Sequence, residues 1–176
     1  MRALDRLGVS ALMLGLGFAM ILVPDVTRVL LVDPTFSAVL GTLAVATLVV
    51  VLRATGPRGS LLERRMFVLF LASMPMVYLS SWLRHGGSST WLGVELAGQL
   101  VFAVIAWLGA RRPMVLAGGI VAHGVLWDSW HFGRTPFMPD WYAVACLLVD
   151  VGFGLYVATQ ARAYAAARHR DTHLAR

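Results

Sequence analysis

Six apolar runs, separated by short polar segments, occupy most of this 176-residue chain. Each run is roughly 20 residues long, which is the length an α-helix needs to cross a hydrocarbon core about 30 Å thick. The runs predict an all-α bundle of six transmembrane helices, at about 8–24, 35–52, 66–83, 91–110, 114–132 and 139–161. Because the connections are short, the sequence predicts a single domain over 1–162, followed by a basic cytoplasmic tail at 163–176.

Composition supports a membrane protein and excludes several functional classes. Hydrophobic residues make up 59% of the chain and charged residues 14%, whereas soluble domains are about half apolar and a quarter charged. The net charge is +6, but the basic residues flank the apolar runs, which indicates membrane topology rather than nucleic-acid binding. The single cysteine, Cys146, lies inside an apolar run and supports neither a disulfide framework nor paired-thiol redox chemistry.

The distribution of arginine predicts the orientation. The N-terminus, the 53–65 and 111–112 loops, and the tail together with Arg162 just before it hold twelve of the fifteen arginines, so the positive-inside rule places both termini in the cytoplasm. The opposite ends of the spans carry four tryptophans, as an aromatic belt would: Trp82, Trp91, Trp130 and Trp141. All basic residues are arginine and none is lysine, which suggests a high-GC bacterial source. The predicted location is therefore the bacterial cytoplasmic (inner) membrane.

The first apolar run could be mistaken for a secretory signal, because Arg2 and Arg6 precede it. The run is long, lacks a small-residue cleavage site and ends at Pro24-Asp25, so a retained span is the prediction. The third run contains Pro75, and an internal proline usually marks a kink in a membrane helix.

Ionisable residues inside the last three spans are the candidates for function. His123 and Asp150 both fall near the predicted midplane, on spans joined by a short turn, so they are expected to face one another. Such a pair has two interpretations of about equal weight: polar contact between helices, or part of a functional site. Small residues spaced four apart, Gly93 with Ala97 and Gly118 with Ala122, predict close helix packing.

The favoured hypothesis is a binding or transport module for a small amphiphile or lipid, with a polar cavity between spans three to six. Its predicted ligand-binding residues are Tyr78, Glu95, Gln99, His123, Trp127 and Asp150. Apart from the lipid bilayer and such a ligand, the sequence predicts no partner, no cofactor and no particular oligomeric state.

Two alternatives remain open. In the first, the chain is a membrane enzyme whose metal ion, held by Glu95, Asp128 and His131, activates water near a lipid head group. The i,i+3 spacing of Asp128 and His131 places both on one α-helical face. Only three plausible ligands converge, however, so no stoichiometric metal is expected. In the second alternative, the chain is a structural or partner-binding subunit whose polar residues only fix helix pairing.

A resemblance covers roughly the last third of the chain. Its first part is W-D-x-x-H, and its second part is P-x-W-Y-x-x-x-C-x-x-x-D; the residues are Trp127, Asp128, His131, Pro139, Trp141, Tyr142, Cys146 and Asp150. In these positions the chain resembles a group of small bacterial polytopic membrane proteins. The resemblance implies the fold class and the membrane location, and it transfers no activity.

Overall fold

The computed structural model describes residues 61–174, with side chains described as far as residue 167. This part of the chain is helical apart from short connections. The first two predicted spans, 8–24 and 35–52, lie outside the described residues. The all-α prediction is confirmed for the described part, whereas the total of six spans and the orientation stay predictions.

The described helices follow the predicted apolar runs three to six. They are α1 (Leu61–Ser73), α2 (Pro75–His85), α3 (Ser89–Gly109), α4 (Pro113–Ala122), a π-helical segment (His123–Asp128), α5 (Ser129–His131) and α6 (Asp140–Leu174). Three stretches are long and apolar enough to cross a membrane: Leu61–His85, Ser89–Gly109 and Asp140–Ala167. The last helix continues past the predicted end of the sixth span, so its helical conformation extends into the predicted tail.

The third predicted span is interrupted where proline removes a backbone donor. Helix α1 ends at Ser73 and α2 begins at Pro75, with Met74 between them. Gln99 of α3 lies beside this interruption, and its Nε2 donates to the carbonyl of Ala72 at 2.7 Å. A neighbouring side chain thus satisfies a carbonyl in the last turn before the break, as a proline-containing membrane helix requires.

Short connections turn the chain between helices. Gly86 ends α2 with a φ of 77°, in the left-handed region that glycine adopts without strain. Two residues later, the side chain of Ser88 accepts a hydrogen bond from the backbone N–H of Trp91 and so caps α3. Pro113 begins α4, where its missing N–H would have had no intrahelical partner.

Close contact between the α4 side of the bundle and α6 depends on two glycines. A Cβ on Gly154 of α6 would lie 2.9 Å from the carbonyl oxygen of Ala117, and one on Gly124 would lie 2.8 Å from the Cβ of Asp150. The small-residue pairs predicted from sequence do not mark these contacts. Among the described residues, no atom beyond the local backbone lies within 4 Å of a Cβ built on Gly93 or Gly118. Packing at Gly93 and Gly118 therefore stays a prediction, because it would involve residues outside the described part of the chain.

The buried core and the exposed surface of the helices are both largely apolar. The main apolar cluster joins α1, α3, α4 and α6, and its completely buried members are Leu71, Leu116, Ile120, Val157 and Tyr164. On α3 the opposite face exposes large apolar side chains: Leu96, Leu100, Val104 and Trp107. An apolar exterior around a bundle that encloses polar side chains suits contact with hydrocarbon.

Candidate functional site

Three ionisable side chains from two neighbouring helical stretches converge in the interior. His123 and Asp128 come from the π-helical segment, and Asp150 comes from α6. Each offers a donor atom within 4.8 Å of the other two, and the three side chains are 0–1% exposed. We call these three residues the triad. It is the one such group of three metal-ligating side chains within residues 61–167, whose side chains the structure describes.

The π-helical segment is what brings Asp128 to His123. The backbone N–H of Ser129 donates to the carbonyl of Gly124, five residues earlier, and this i→i+5 bond defines the wider turn. In a regular α-helix, residues five apart point about 140° away from each other. The wider turn places His123 and Asp128 on the same side of the helix, facing α6. Such single π-helical turns occur frequently at functional sites.

The imidazole of His123 lies between the two carboxylates. Its Nδ1 is 2.8 Å from Oδ2 of Asp150 and 3.4 Å from Oδ2 of Asp128. The other face of the triad is apolar, since the ring of Phe102 packs edge-on against the imidazole with centroids 4.7 Å apart. The glycine at position 124 lets α6 approach closely enough for the contact with Asp150.

One triad carboxylate, that of Asp128, is oriented by a hydrogen bond from another helix, whereas three other polar atoms of the triad have no hydrogen-bond partner among the described residues. The hydroxyl of Tyr78, on α2, donates to Oδ1 of Asp128 at 2.9 Å. Among the described residues, Asp128 Oδ2, Asp150 Oδ1 and His123 Nε2 have no hydrogen-bond partner. Other buried atoms of the described residues, among them Glu95 Oε2 and Gln99 Oε1, also lack a partner, but only in the triad do three such atoms lie together, where they are available to a further species.

A second buried pair, Glu95 and His131, lies beside the triad. His131 Nδ1 is 2.8 Å from the carbonyl oxygen of Trp127, and because a carbonyl only accepts, Nδ1 carries a proton. Its Nε2 is 2.9 Å from Oε1 of Glu95, so one further proton is shared between these two atoms. The pair is therefore neutral overall, and both imidazole nitrogens are occupied.

Aromatic rings connect the pair to the triad. The Tyr78 ring, whose hydroxyl binds Asp128, stacks against His131 with ring centroids 4.2 Å apart. Trp127 packs on the other side of His131 at 4.7 Å and over Gly98, where a Cβ would collide with the indole. These rings lie between the Glu95–His131 pair and the triad, and their contacts with both fix the positions of the two polar groups.

The connection between α5 and α6 folds inward over the same end of the bundle. Phe137 and Met138 are 1% and 3% exposed although they lie outside the helices. The Ser81 hydroxyl of α2 donates to the carbonyl of Phe137, and the Phe137 ring packs edge-on against Trp91. The Gly133 N–H donates to the carboxylate of Asp140, which places Asp140 in the exposed turn and outside the triad.

Some of the predicted site residues lie at the triad, and others make contacts elsewhere. Of the predicted ligand-binding residues, His123 and Asp150 touch each other as expected, and Tyr78 reaches them through Asp128. Trp127 contributes packing, and Gln99 binds the α1 backbone instead of the cluster. The predicted metal set does not gather around one point, because Glu95 and His131 bind each other while Asp128 turns to His123.

Asp128 is the triad member that sequence reasoning placed with the wrong partner. The α-helical rule of i,i+3 and i,i+4 contacts paired it with His131, whereas π-helical spacing pairs it with His123. Gly124 inside an apolar run is the local sequence signal, but one glycine does not distinguish a π-helical turn from a regular helix.

Comparisons with protein-family models, with curated proteins and with solved structures find no match to this chain. The chemistry of the triad is therefore the starting point for function.

Proposed function

We propose that this protein is a membrane transport module that binds a cation inside its helix bundle and exchanges it for protons. The observation that carries the proposal is the triad: three buried ionisable side chains within 4.8 Å, one of which, Asp150, lies on a helix long and apolar enough to cross a membrane. Ionisable side chains buried in membrane-spanning segments commonly belong to ion or proton pathways.

The charge of the triad favours a cation. With both carboxylates ionised and His123 protonated, the cluster carries one net negative charge. Burying an uncompensated charge is strongly unfavourable, so a further proton or another cation is needed. The exposed fraction of each triad residue is at most 1%, so solvent contributes little compensation.

The same contacts favour an ion over the amphiphile predicted from the sequence. His123 Nδ1 lies 2.8 and 3.4 Å from the two carboxylates, which leaves no space between these groups for a carbon skeleton. An amphiphile would need polar groups separated by an apolar cavity. A small cation therefore fits the triad better than an amphiphile does.

Burial also favours transport over the two alternative functions. An enzyme acting on a lipid head group needs an accessible reacting atom, and both Asp128 and Asp150 are 0% exposed. A structural subunit would use its polar groups only to join helices. The bonds of His123 with Asp150 and of Tyr78 with Asp128 do this, but three triad atoms remain without a hydrogen-bond partner among the described residues.

The test is cation-driven proton movement in liposomes that contain the full chain and a trapped pH-sensitive dye. With an acidic interior, at least one cation from a panel of Na⁺, K⁺, Mn²⁺ and Zn²⁺ is expected to raise the internal pH. Asp150→Asn is expected to lower the initial rate at least about tenfold, since it removes one of the two buried carboxylates that would bind the cation.

The matched control is Asp140→Asn, which removes a carboxylate from the exposed start of the same helix. Asparagine keeps the oxygen that accepts the Gly133 N–H, so this variant is expected to retain the wild-type rate. If none of the four cations changes the internal pH, or if Asp150→Asn is as fast as Asp140→Asn, the transport proposal is wrong.

We also propose the orientation that the arginine distribution predicts, with both termini in the cytoplasm. The contact between Trp91 and Trp130, whose ring centroids lie 5.3 Å apart, supports a common interface for the belt tryptophans. Reporter fusions that end at Gly87 are expected to give a periplasmic signal, and fusions at the C-terminus a cytoplasmic one. A cytoplasmic signal at Gly87 would reverse the orientation.

A further inference from the structure

We infer that the cation bound by the triad is a first-row divalent metal ion, of the zinc, manganese or iron class, and that it replaces two protons. This inference rests on the proposed function, because it names the ion for the same site. It also differs from the expectation from sequence that no stoichiometric metal is bound, because the ligand set is now a different one.

The spacing of the triad suits such an ion. Zinc binds imidazole nitrogen and carboxylate oxygen at roughly 2.0–2.2 Å, so ligand atoms around a tetrahedral ion lie about 3.4 Å apart. The distance from His123 Nδ1 to Asp128 Oδ2 is 3.4 Å, and that to Asp150 Oδ2 is 2.8 Å. Widening the second contact by about half an ångström would accommodate the ion.

The charges also match a divalent ion. Two ionised carboxylates and a neutral imidazole give a charge of −2, which one divalent cation neutralises. Without the metal, the same three groups reach neutrality by holding two protons, one on His123 and one on a carboxylate. Metal binding therefore releases two protons, and proton binding releases the metal. No covalent or redox step is involved.

Unpartnered oxygens and a fixed carboxylate complete the site. Tyr78 binds Oδ1 of Asp128, which leaves Oδ2 directed towards His123 and free to bind an ion. Asp150 contributes a second carboxylate, whose Oδ1 has no partner among the described residues. Hydrogen bonds that orient metal ligands in this way typically affect metal affinity 10–100-fold.

The neighbouring pair does not compete for the ion. Both imidazole nitrogens of His131 are occupied, one by the Trp127 carbonyl and one by Glu95. A metal at this position would have to displace a hydrogen bond to a carbonyl or separate a neutral buried pair. The triad is therefore the preferred position for a metal ion within the described part of the chain.

The experiment uses the detergent-purified full chain, treated with chelator and then dialysed against Zn²⁺ or Mn²⁺. Elemental analysis is expected to give about one ion per chain, and a pH-stat titration about two protons released per ion bound. Asp150→Asn and Asp128→Asn are expected to weaken binding at least about tenfold, whereas Asp140→Asn binds as wild type.

Tyr78→Phe provides a milder variant should either asparagine variant fail to fold. It keeps the buried ring and removes only the hydroxyl that orients Asp128, so a loss of affinity of about tenfold is expected together with a modest fall in melting temperature. In Co²⁺-loaded protein, visible absorption would report the coordination directly, and its spectrum should change in this variant.

Three outcomes would overturn the metal inference. They are the absence of bound metal, binding unaffected by any triad variant, and binding that the tail histidines His169 and His173 account for. If Na⁺ or K⁺ nevertheless drives proton movement in liposomes and Asp150→Asn prevents it, the proposed transport function stands and only the identity of the ion is wrong.

Discussion

Replacing Gly124 with alanine is expected to lower the free energy of unfolding by about 3 kcal/mol, the upper part of the range for overpacked cores. The new Cβ would lie 2.8 Å from the Cβ of Asp150 and 3.1–3.2 Å from the carbonyl oxygen and Cα of Leu147. The Leu147 atoms belong to the backbone of α6, so relief requires the helices to separate. Separation would also move Asp150 away from His123.

Gly118→Ala is the matched control, because it introduces the same methyl group six residues earlier in the same helical stretch. Within the described part of the chain, no atom beyond the local backbone lies within 4 Å of a Cβ at this position. Alanine is the better helix former, so this variant is expected to be neutral or up to about 1 kcal/mol more stable. Unfolding in mixed detergent, followed by circular dichroism, measures both. Equal stability of the two variants would contradict the proposed close contact at Gly124.

Replacing Glu95 with alanine is expected to destabilise the protein by about 3 kcal/mol, since it leaves a buried histidine nitrogen without a partner and creates a cavity. Glu95 and His131 are both 0% exposed and 2.9 Å apart. The Trp127 carbonyl holds His131 in one tautomer, so the ring cannot turn its other nitrogen towards a new partner.

Glu95→Gln distinguishes the hydrogen bond from the charge. The glutamine amide can donate to the unprotonated Nε2 of His131, so the loss is expected to stay below about 1 kcal/mol. The same unfolding assay at neutral pH compares the two variants. If glutamine destabilises as much as alanine does, the shared proton resides on His131, and the attraction of an ion pair rather than a neutral hydrogen bond stabilises this contact.

Apolar periodicity and depth predicted much of what the described helices show. The lengths of the apolar runs gave helices at the right places, and Pro75 coincides with the interruption after Ser73. Counting residues from the ends of the spans placed His123 and Asp150 at similar depth, and they are in contact. The depth of each residue depends on the helical rise per residue, and the break depends on the backbone N–H that Pro75 lacks. Both can be read directly from a sequence.

Side-chain partners were harder to predict because they depend on helix rotation. Gln99 was assigned to the ligand site by its depth, yet it turns towards α1 and binds the Ala72 carbonyl beside the proline break. Gly118 has the spacing of a packing motif, but the helices meet at Gly124 and Gly154. The depth of a residue in the membrane does not tell which way its side chain points around the helix axis, because tertiary packing decides the rotation of each helix.

The π-helical turn has a consequence at the level of the gene. It contains, in effect, one more residue than a regular helix needs over the same length, and this surplus aligns His123, Asp128 and His131 towards the protein interior, where all three are at most 1% exposed. An in-frame loss of one codon between 125 and 127 would restore regular helical winding and leave Asp128 four positions after His123, still on the same helical face. A deletion in this turn would therefore disturb the two buried polar groups less than a deletion earlier in the same helical stretch, where the loss of one residue rotates the outer part of the helix by about 100°.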